Sequence, residues 1–569
     1  MAHGPGVGLD GQGQVVDDPR PMRITTLLVS VAAVLVCGTV AAQSTEPFFS
    51  PDRVRAHVAF LADDLLEGRD TGSRGNEIAA RYVANQFASF GLKPGGENGT
   101  WYQRITFQQT NRTADAGTIT IGGPGGEQSY PHAGDVLIGL NGREPKLDIS
   151  AQLVFVGFGV EDARFKLDDY RGLDVKGKIV VALRGFPKGL PSEEGAHIAA
   201  VKAKAAESHG AIGMLAITTL QAEKTRPWKV VLQYANDPDF SWVGPDGVVF
   251  SEAPGIRVGG LLNGPAAEAV FAGSGHTLAA IRKEADQNLA TPRGFTLKTR
   301  VRIQSESTSK RVTSPNVVAI LPGSDSKLAA QYVVLSAHLD HLGIKTVPSD
   351  DQTDDDHIYN GALDNAAGVA TMLEVARAAA AAPDKPRRSI VFLASTAEEQ
   401  GLLGADYYAR HPTVPITQIV GNVDLDMPLL LYPFTDVIVF GANHSSFGKL
   451  VADAVAPMKL KLSPDPMPEQ GVFTRSDHYM FVKQGVPAVF FVTGYANGGE
   501  QAWGEFFSKA YHSPKDDMDQ KIDWEAGARF AEANYRVTRA MADSEVPPMW
   551  VRGDFFGDTF APKGARAPR

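Results

Sequence analysis

From Asn316 onward, short and almost wholly apolar runs alternate with longer stretches of helical period. Val317–Leu321, Tyr332–Ser336, Ser389–Ser395, Ile419–Leu425, Val437–Phe440 and Ala488–Val492 read as strands. Gly368–Ala382, Gly404–Arg410, Ser446–Ala456 and Trp524–Ala542 read as helices. Strands without polar alternation must be covered on both faces. This half of the chain is therefore expected to be α/β, a mixed, mostly parallel central sheet with helices on both faces.

Upstream the pattern is more broken. Val54–Ala62 and Ile78–Phe90 keep apolar residues on one face, and Gly91 stops the second. Gly68–Gly75 is rich in turn residues, and Trp101–Gln108 alternates like a strand. Composition shifts near Lys146. Leu153–Gly159 and Lys178–Leu183 are short buried strands, Ile198–Ala206 a helix, and Ile212–Ile217 another strand. Residues 224–254 are rich in loop formers, with Trp228, Tyr234, Phe240 and Trp242 read as local core. Ala266–Glu284 returns to helical period and Thr296–Gln304 alternates again. The division expected is a main domain in two parts, 46–145 and 291–545, around a smaller β-rich insert at 146–290. An irregular tail covers 546–569.

A length of 569 residues suffices for two or three such units. The formal charge of −10 argues against a nucleic-acid partner, which needs a basic face. Residues 1–42 are expected to be an extension followed by a signal peptide. The start is expected at Met22, followed by Arg23, an apolar core, and small residues at Val40-Ala41-Ala42. An uncleaved anchor is the rival reading, since the stretch nears a spanning length. Cleavage would give a secreted or periplasmic protein with no stable membrane association. It would also remove Cys37, the single cysteine, so any metal site must use His and carboxylate ligands.

Such residues stand at the ends of the apolar runs. The run Ser389–Ser395 leads to Glu398-Glu399, two neighbours whose side chains point in different directions. One can hold a metal while the other faces a substrate or a water. His338-Leu-Asp340 follows its strand with both polar side chains on one face. His338 can bind metal through one nitrogen while Asp340 accepts a hydrogen bond from the other. Asp364 stands at a helix start, where a simple N-cap is the competing reading. Asp426 ends another strand, with Asp424 a rival by alternation. His512 follows a loop of Gly and aromatic residues. Singly, each has a bland reading as a solvated acid or surface pair. Together they gather outside the carboxyl ends of successive strands, where ligands of open α/β sheets collect. Two His and three carboxylates suit a pair of divalent cations. Their softness admits zinc, cobalt or manganese without choosing among them.

The order His338-x-Asp340, Asp364-Asn365, Glu398-Glu399, Asp426-Met427, Ser476-Asp477-His478, His512 resembles the M28 co-catalytic zinc aminopeptidases. The likeness runs from about Val54 to Ala542. Val156-Gly-Phe-Gly159 and Gly172–Ile179 make the insert look like a protease-associated (PA) domain. The resemblance implies two Zn2+ with Asp364 as bridging ligand, His338 and Asp426 completing one ion, and Glu399 and His512 the other. It implies Glu398 as general base, Asp340 as a supporting catalytic carboxylate, and a cis Asp364–Asn365 bond. The expected substrates are peptides with a free N-terminus, attacked by a water between the ions. Carboxypeptidase, dipeptidase or glutaminyl cyclase activity, or a non-catalytic binding role, are the alternatives on such a fold; the oligomeric state stays open. Of the remaining residues, His478 is expected to be packed and hydrogen-bonded rather than a ligand. His341, His357 and His444 have no assigned role. The acidic run Asp350–Asp356 reads as a solvated loop, and Tyr495 with the 494–507 loop as a specificity pocket.

Overall fold

Two strand ladders share one long strand. The computed structural model describes residues 48–113, 117–345 and 356–568, and 46–569 form one compact unit. In chain order the strands that matter are β1 (Tyr102–Arg112), β2 (Lys146–Phe155), β3 (Ile179–Leu183), β4 (Gly213–Ile217), β5 (Val258–Leu262) and β6 (Phe295–Leu321). They continue with β7 (Tyr332–His338), β8 (Ser389–Ser395), β9 (Ile419–Asp424), β10 (Asp436–Phe440) and β11 (Ala488–Thr493). The 27-residue β6 pairs antiparallel with β2 along its first part, then with β1 and β8 along its second.

The first ladder runs β6–β8–β7–β9–β11–β10. Its centre is parallel, from β8 through β7 and β9 to β11, and β10 closes antiparallel on β11. The register decides where chemistry collects. His338 lies level with Ser395, and Ser336 with Asp424, so the carboxyl ends of β8, β7 and β9 form one rim. Every residue of β8 is buried, as its unbroken apolar run requires. Helices α1 (Pro51–Leu61), α2 (Ala367–Ala381) and α4 (Trp524–Asp543) pack against one another. The short α3 (Leu403–Arg410) packs against β6 and the strand Asp239–Trp242. Alanines make up much of α2, so neighbouring helices approach it closely, and it ends before Pro383.

The second ladder has its own parallel centre, β2–β3–β4–β5. It takes strands from 118–138 and from the start of β6 as well as from 146–290.

Several segments differ from expectation; the helix expected over 198–206 is broken at Val201 into Ser192–Ala200 and Lys202–Ser208, and the 494–507 loop holds the helix Gly499–Lys509. The single helix expected over 266–284 is two, Gly264–Ala269 and Leu278–Ala285. Gly273 and Gly275 between them are left-handed, a conformation no right-handed helix contains. The 224–254 stretch holds the strand Asp239–Trp242 paired to β1, so Phe240 and Trp242 are core, while Trp228 and Tyr234 are not. The tail includes the helix Phe555–Phe560, which buries Phe555 and Phe556. The signal-like stretch and Asp350, Asp351, Asp354 and Asp355 lie outside the described residues. Among the described residues no helix is long and apolar enough to cross a membrane.

Candidate metal centre

The site is assembled from five chain segments at the rim of the first ladder. His338 is the last residue of β7, and Asp426 lies two residues beyond β9. Glu398 and Glu399 follow β8 after Ala397, which is left-handed (φ 57°). Met427 (φ 40°) and His512 (φ 53°) are left-handed as well. Non-glycine residues hold this conformation only where their surroundings enforce it, and such places cluster at functional sites. Asp364 sits before α2, and the Asp364–Asn365 peptide is cis. The helix-capping role falls to Asn365, whose Oδ1 accepts the Gly368 N–H at 3.0 Å. Asp364 is thereby left facing the site.

The donor atoms fall into two sets. His338 Nε2 is 3.2 Å from Asp364 Oδ1 and 3.1 Å from Asp426 Oδ1. His512 Nε2 is 3.4 Å from Asp364 Oδ2 and 3.3 Å from Glu399 Oε2. A tetrahedral cation with ligand bonds near 2.0–2.1 Å separates its ligand atoms by about 3.3 Å. The His-to-carboxylate distances in both sets match that spacing, and Asp364 gives one oxygen to each. The structure thus brings together His338, Asp364, Glu399, Asp426 and His512, and the donor chemistry fits two divalent ions.

Asp340 plays another part than the sequence suggests. The His338 Nδ1 partner is the Asp340 main-chain oxygen, at 3.1 Å, not its carboxylate. The carboxylate turns back instead, accepting the N–H of Glu398 at 3.1 Å and of Glu399 at 3.3 Å. The strand has already ended at His338, so the period-two argument does not extend to residue 340. Asp340 therefore orders the turn that presents both glutamates.

Further groups hold the donors, and several escaped the sequence reading. Ser476 Oγ bonds Asp426 Oδ2 at 2.8 Å and Asp424 Oδ2 at 2.6 Å, so Asp424 supports rather than competes. Asp516 takes the Leu363 and Asp364 N–H groups on its two oxygens, both at 2.9 Å, and its carbonyl takes Ala362 N–H at 2.9 Å. It lies four residues past His512 and ties that loop to Asp364. The buried Arg69 guanidinium donates only to carbonyls, of Leu61, Leu339, Asn360 and Gly361, bracing both flanks of the site. Tyr234 brings its hydroxyl 3.5 Å from His512 Nδ1, so part of the 146–290 segment reaches the centre. His341, given no role above, is buried with Nδ1 2.7 Å from Glu399 Oε1. Its only sequence signal was adjacency to the His-x-Asp pattern. His478 is packed between Phe473 and Phe490; against expectation, neither ring nitrogen has a hydrogen-bond partner among the described residues, and the Asp424 carboxylate stands 3.8 Å from Nδ1. Tyr511 stacks on His512 at 3.9 Å, and Phe507, Trp503 and Tyr495 continue that row of rings.

Burial and charge crowding set the protonation. Burial pushes Glu398 well above the ordinary carboxylate range; His338 opposes this, and Asp426, Glu399 and Asp477 reinforce it. Burial likewise raises Asp340 and Asp516 to about 6. Asp364 is held well below the usual range because the His338 and His512 imidazoles outweigh its burial. A centre with this many carboxylates calls for added positive charge.

The model of Peptidase family M28 matches residues 316–538, a span containing all five donors and Glu398. Leupeptin-inactivating enzyme 1 of Streptomyces exfoliatus is 27% identical over 253 residues, 42% of this chain and 52% of that protein. A probable zinc metalloprotease of Pyrenophora teres f. teres is 38% identical over 116 residues, 20% of this chain and 23% of that protein. The chain thus matches about half the length of the first relative and less of the second. Among solved structures, an aminopeptidase from Aneurinibacillus sp. strain AM-1 is 21% identical, with a TM-score of 0.48, covering 88% of this chain and 95% of that one. Residues 316–538, the stretch that carries the whole donor set, are similar to peptidase family M28.

Proposed function

We propose that the protein is a di-zinc aminopeptidase releasing N-terminal residues from peptides. The observation that carries this reading is the division of Asp364, whose oxygens lie 3.2 Å from His338 and 3.4 Å from His512, each imidazole having a further carboxylate, Asp426 at 3.1 Å or Glu399 at 3.3 Å. His338 and Asp426 would hold one ion, His512 and Glu399 the other, with Asp364 between them. When bound, the ions supply Lewis acidity toward a peptide carbonyl and toward water. Glu398 stands beside His338 and Asp426, its backbone anchored on Asp340, and is the base that takes a proton from the attacking water. It then returns that proton to the leaving amine. The row of rings from Tyr511 to Tyr495 would line the pocket for the first side chain. Residues 146–290 would act as a PA-like insert that walls the site through Tyr234. A secreted or periplasmic location follows from the signal-like stretch before Gln43 and is tested by sequencing the mature N-terminus.

The experiment is hydrolysis of aminoacyl-anilides and of matched peptides with free and acetylated N-termini, with zinc counted. Metal-dependent release from free N-termini alone is expected. Equal cleavage of the acetylated peptide would defeat the aminopeptidase reading.

A further inference from the structure

We propose that His341 is a positioning residue that orients Glu399 and thereby sets the affinity of one ion of the pair without touching the other. The inference rests on the two-ion reading above. Glu399 divides its oxygens: Oε2 is 3.3 Å from His512 Nε2, and Oε1 is 2.7 Å from His341 Nδ1. The shorter distance is that of a hydrogen bond to a carboxylate. It is too short for two ligands on one tetrahedral cation, whose atoms stand about 3.3 Å apart. His341 is therefore a donor to Glu399 and not a sixth ligand, although it lies within ligand range of Asp364 and Glu399. Its Nε2 is buried with no hydrogen-bond partner among the described residues, which suits the tautomer carrying its proton on Nδ1.

The ring sits in a built socket. Its backbone N–H donates to the Arg69 carbonyl at 3.3 Å, and Arg69 in turn holds the Leu339 and Asn360 carbonyls. Gly361 (φ +59°) passes so near that a Cβ there would lie 2.6 Å from His341 Cγ. A bare backbone at 361 makes room for the imidazole. With the ring fixed, Glu399 presents one oxygen to the second donor set. Without the donor, the carboxylate is free to turn. Neither His338 nor Asp426 contacts His341 by hydrogen bond, so the first donor set keeps its geometry.

The test is zinc competition titration of the full chain, with the visible spectrum of the cobalt-loaded form as a second readout. His341→Leu removes the donor. His341→Asn restores an N–H near the Nδ1 position, whereas His341→Gln places it near Nε2. The wild type is expected to bind two zinc ions. His341→Leu and His341→Gln should bind one with unchanged affinity and the other about 10–100-fold more weakly, as outer partners of ligands do. His341→Asn should stay within a few-fold of wild type and keep its cobalt spectrum. Unchanged binding in His341→Leu, equal weakening of both ions, or failure of His341→Asn to rescue would overturn the proposal. Should His341→Leu not fold, the Asn–Gln pair decides, and equal affinities for those two would overturn it. A wild type that takes up fewer than two ions defeats the two-ion reading itself, and this proposal with it.

Discussion

The two ladders are built alike and used differently. Each has four parallel strands at its centre, and each therefore opens a crevice at their carboxyl ends. In the first, the strand ends lead into His338, Asp340, Glu398, Glu399 and Asp426. In the second, β2, β3, β4 and β5 run into Val156-Gly157, Arg184-Gly185, Thr218-Thr219 and Asn263-Gly264, with no carboxylate among them. Its ladder end is closed by a buried lysine, Lys202, whose Nζ donates to the carbonyls of Leu183, at 2.7 Å, and Gly185. Burial lowers that ammonium to about 7. One rim holds acids that want cations, and the other holds a cation that satisfies strand carbonyls. Topology offers the place, and side-chain identity decides whether chemistry happens there.

Substitutions at the two rims should separate activity from stability. Glu398→Gln is expected to lower kcat by about 10²–10⁴-fold with zinc content and unfolding midpoint unchanged. Retained activity would remove the base from the first rim and with it the contrast. Asp340→Asn should loosen the turn carrying both glutamates, lowering kcat by about tenfold while KM holds, because it touches the base through its backbone.

The joint between the halves is the next point of attack. His444 Nδ1 is 2.6 Å from Asp554, near the end of the described chain, and Nε2 is 2.6 Å from Glu193 in the 146–290 segment. Burial alone would lower this imidazole; the Asp554 and Glu193 carboxylates outweigh it and hold it at about 10. A raised value means the clasp is fully stabilising below the unfolded value of about 6.5 and is lost as pH rises through about 10. His444→Leu strands two carboxylates and should cost about 3–5 kcal/mol in denaturant unfolding at pH 7. The difference from wild type should shrink above pH 10, and a constant difference would show the clasp is not charged.

Lys202→Met should cost about 1–3 kcal/mol of stability by orphaning two carbonyls, with kcat/KM unchanged. A catalytic defect in the folded variant would mean the second rim is more than a brace. Tyr234→Phe should have the smallest effect, less than about 1 kcal/mol on kcat/KM, because a 3.5 Å contact is a weak hydrogen bond. A larger loss would make the 146–290 segment part of the catalytic apparatus.

Legibility followed the range of the interactions. The strand Ser389–Ser395 was readable to the residue because a run buried on both faces is apolar throughout. Hydrophobic period predicts one helix over 266–284, but Gly273 and Gly275 break it with a local conformation that period does not register. The tail helix at 555–560 was missed because six residues, however well buried, carry too few turns for a periodic signal.

By itself, then, the sequence determined the α/β alternation and the rim where polar residues collect, because burial and side-chain period are properties of short stretches; alternation left Asp424 and Asp426 open, and only the family resemblance chose between them. Only the tertiary structure decided which atom faces which. It gave the Asp340 carboxylate to the glutamate turn and His341 to Glu399, and bound Asp516 to the backbone of Asp364. Those pairings join residues tens to hundreds of positions apart, and a hydrogen bond's partner is chosen by strand register and packing that no local pattern encodes.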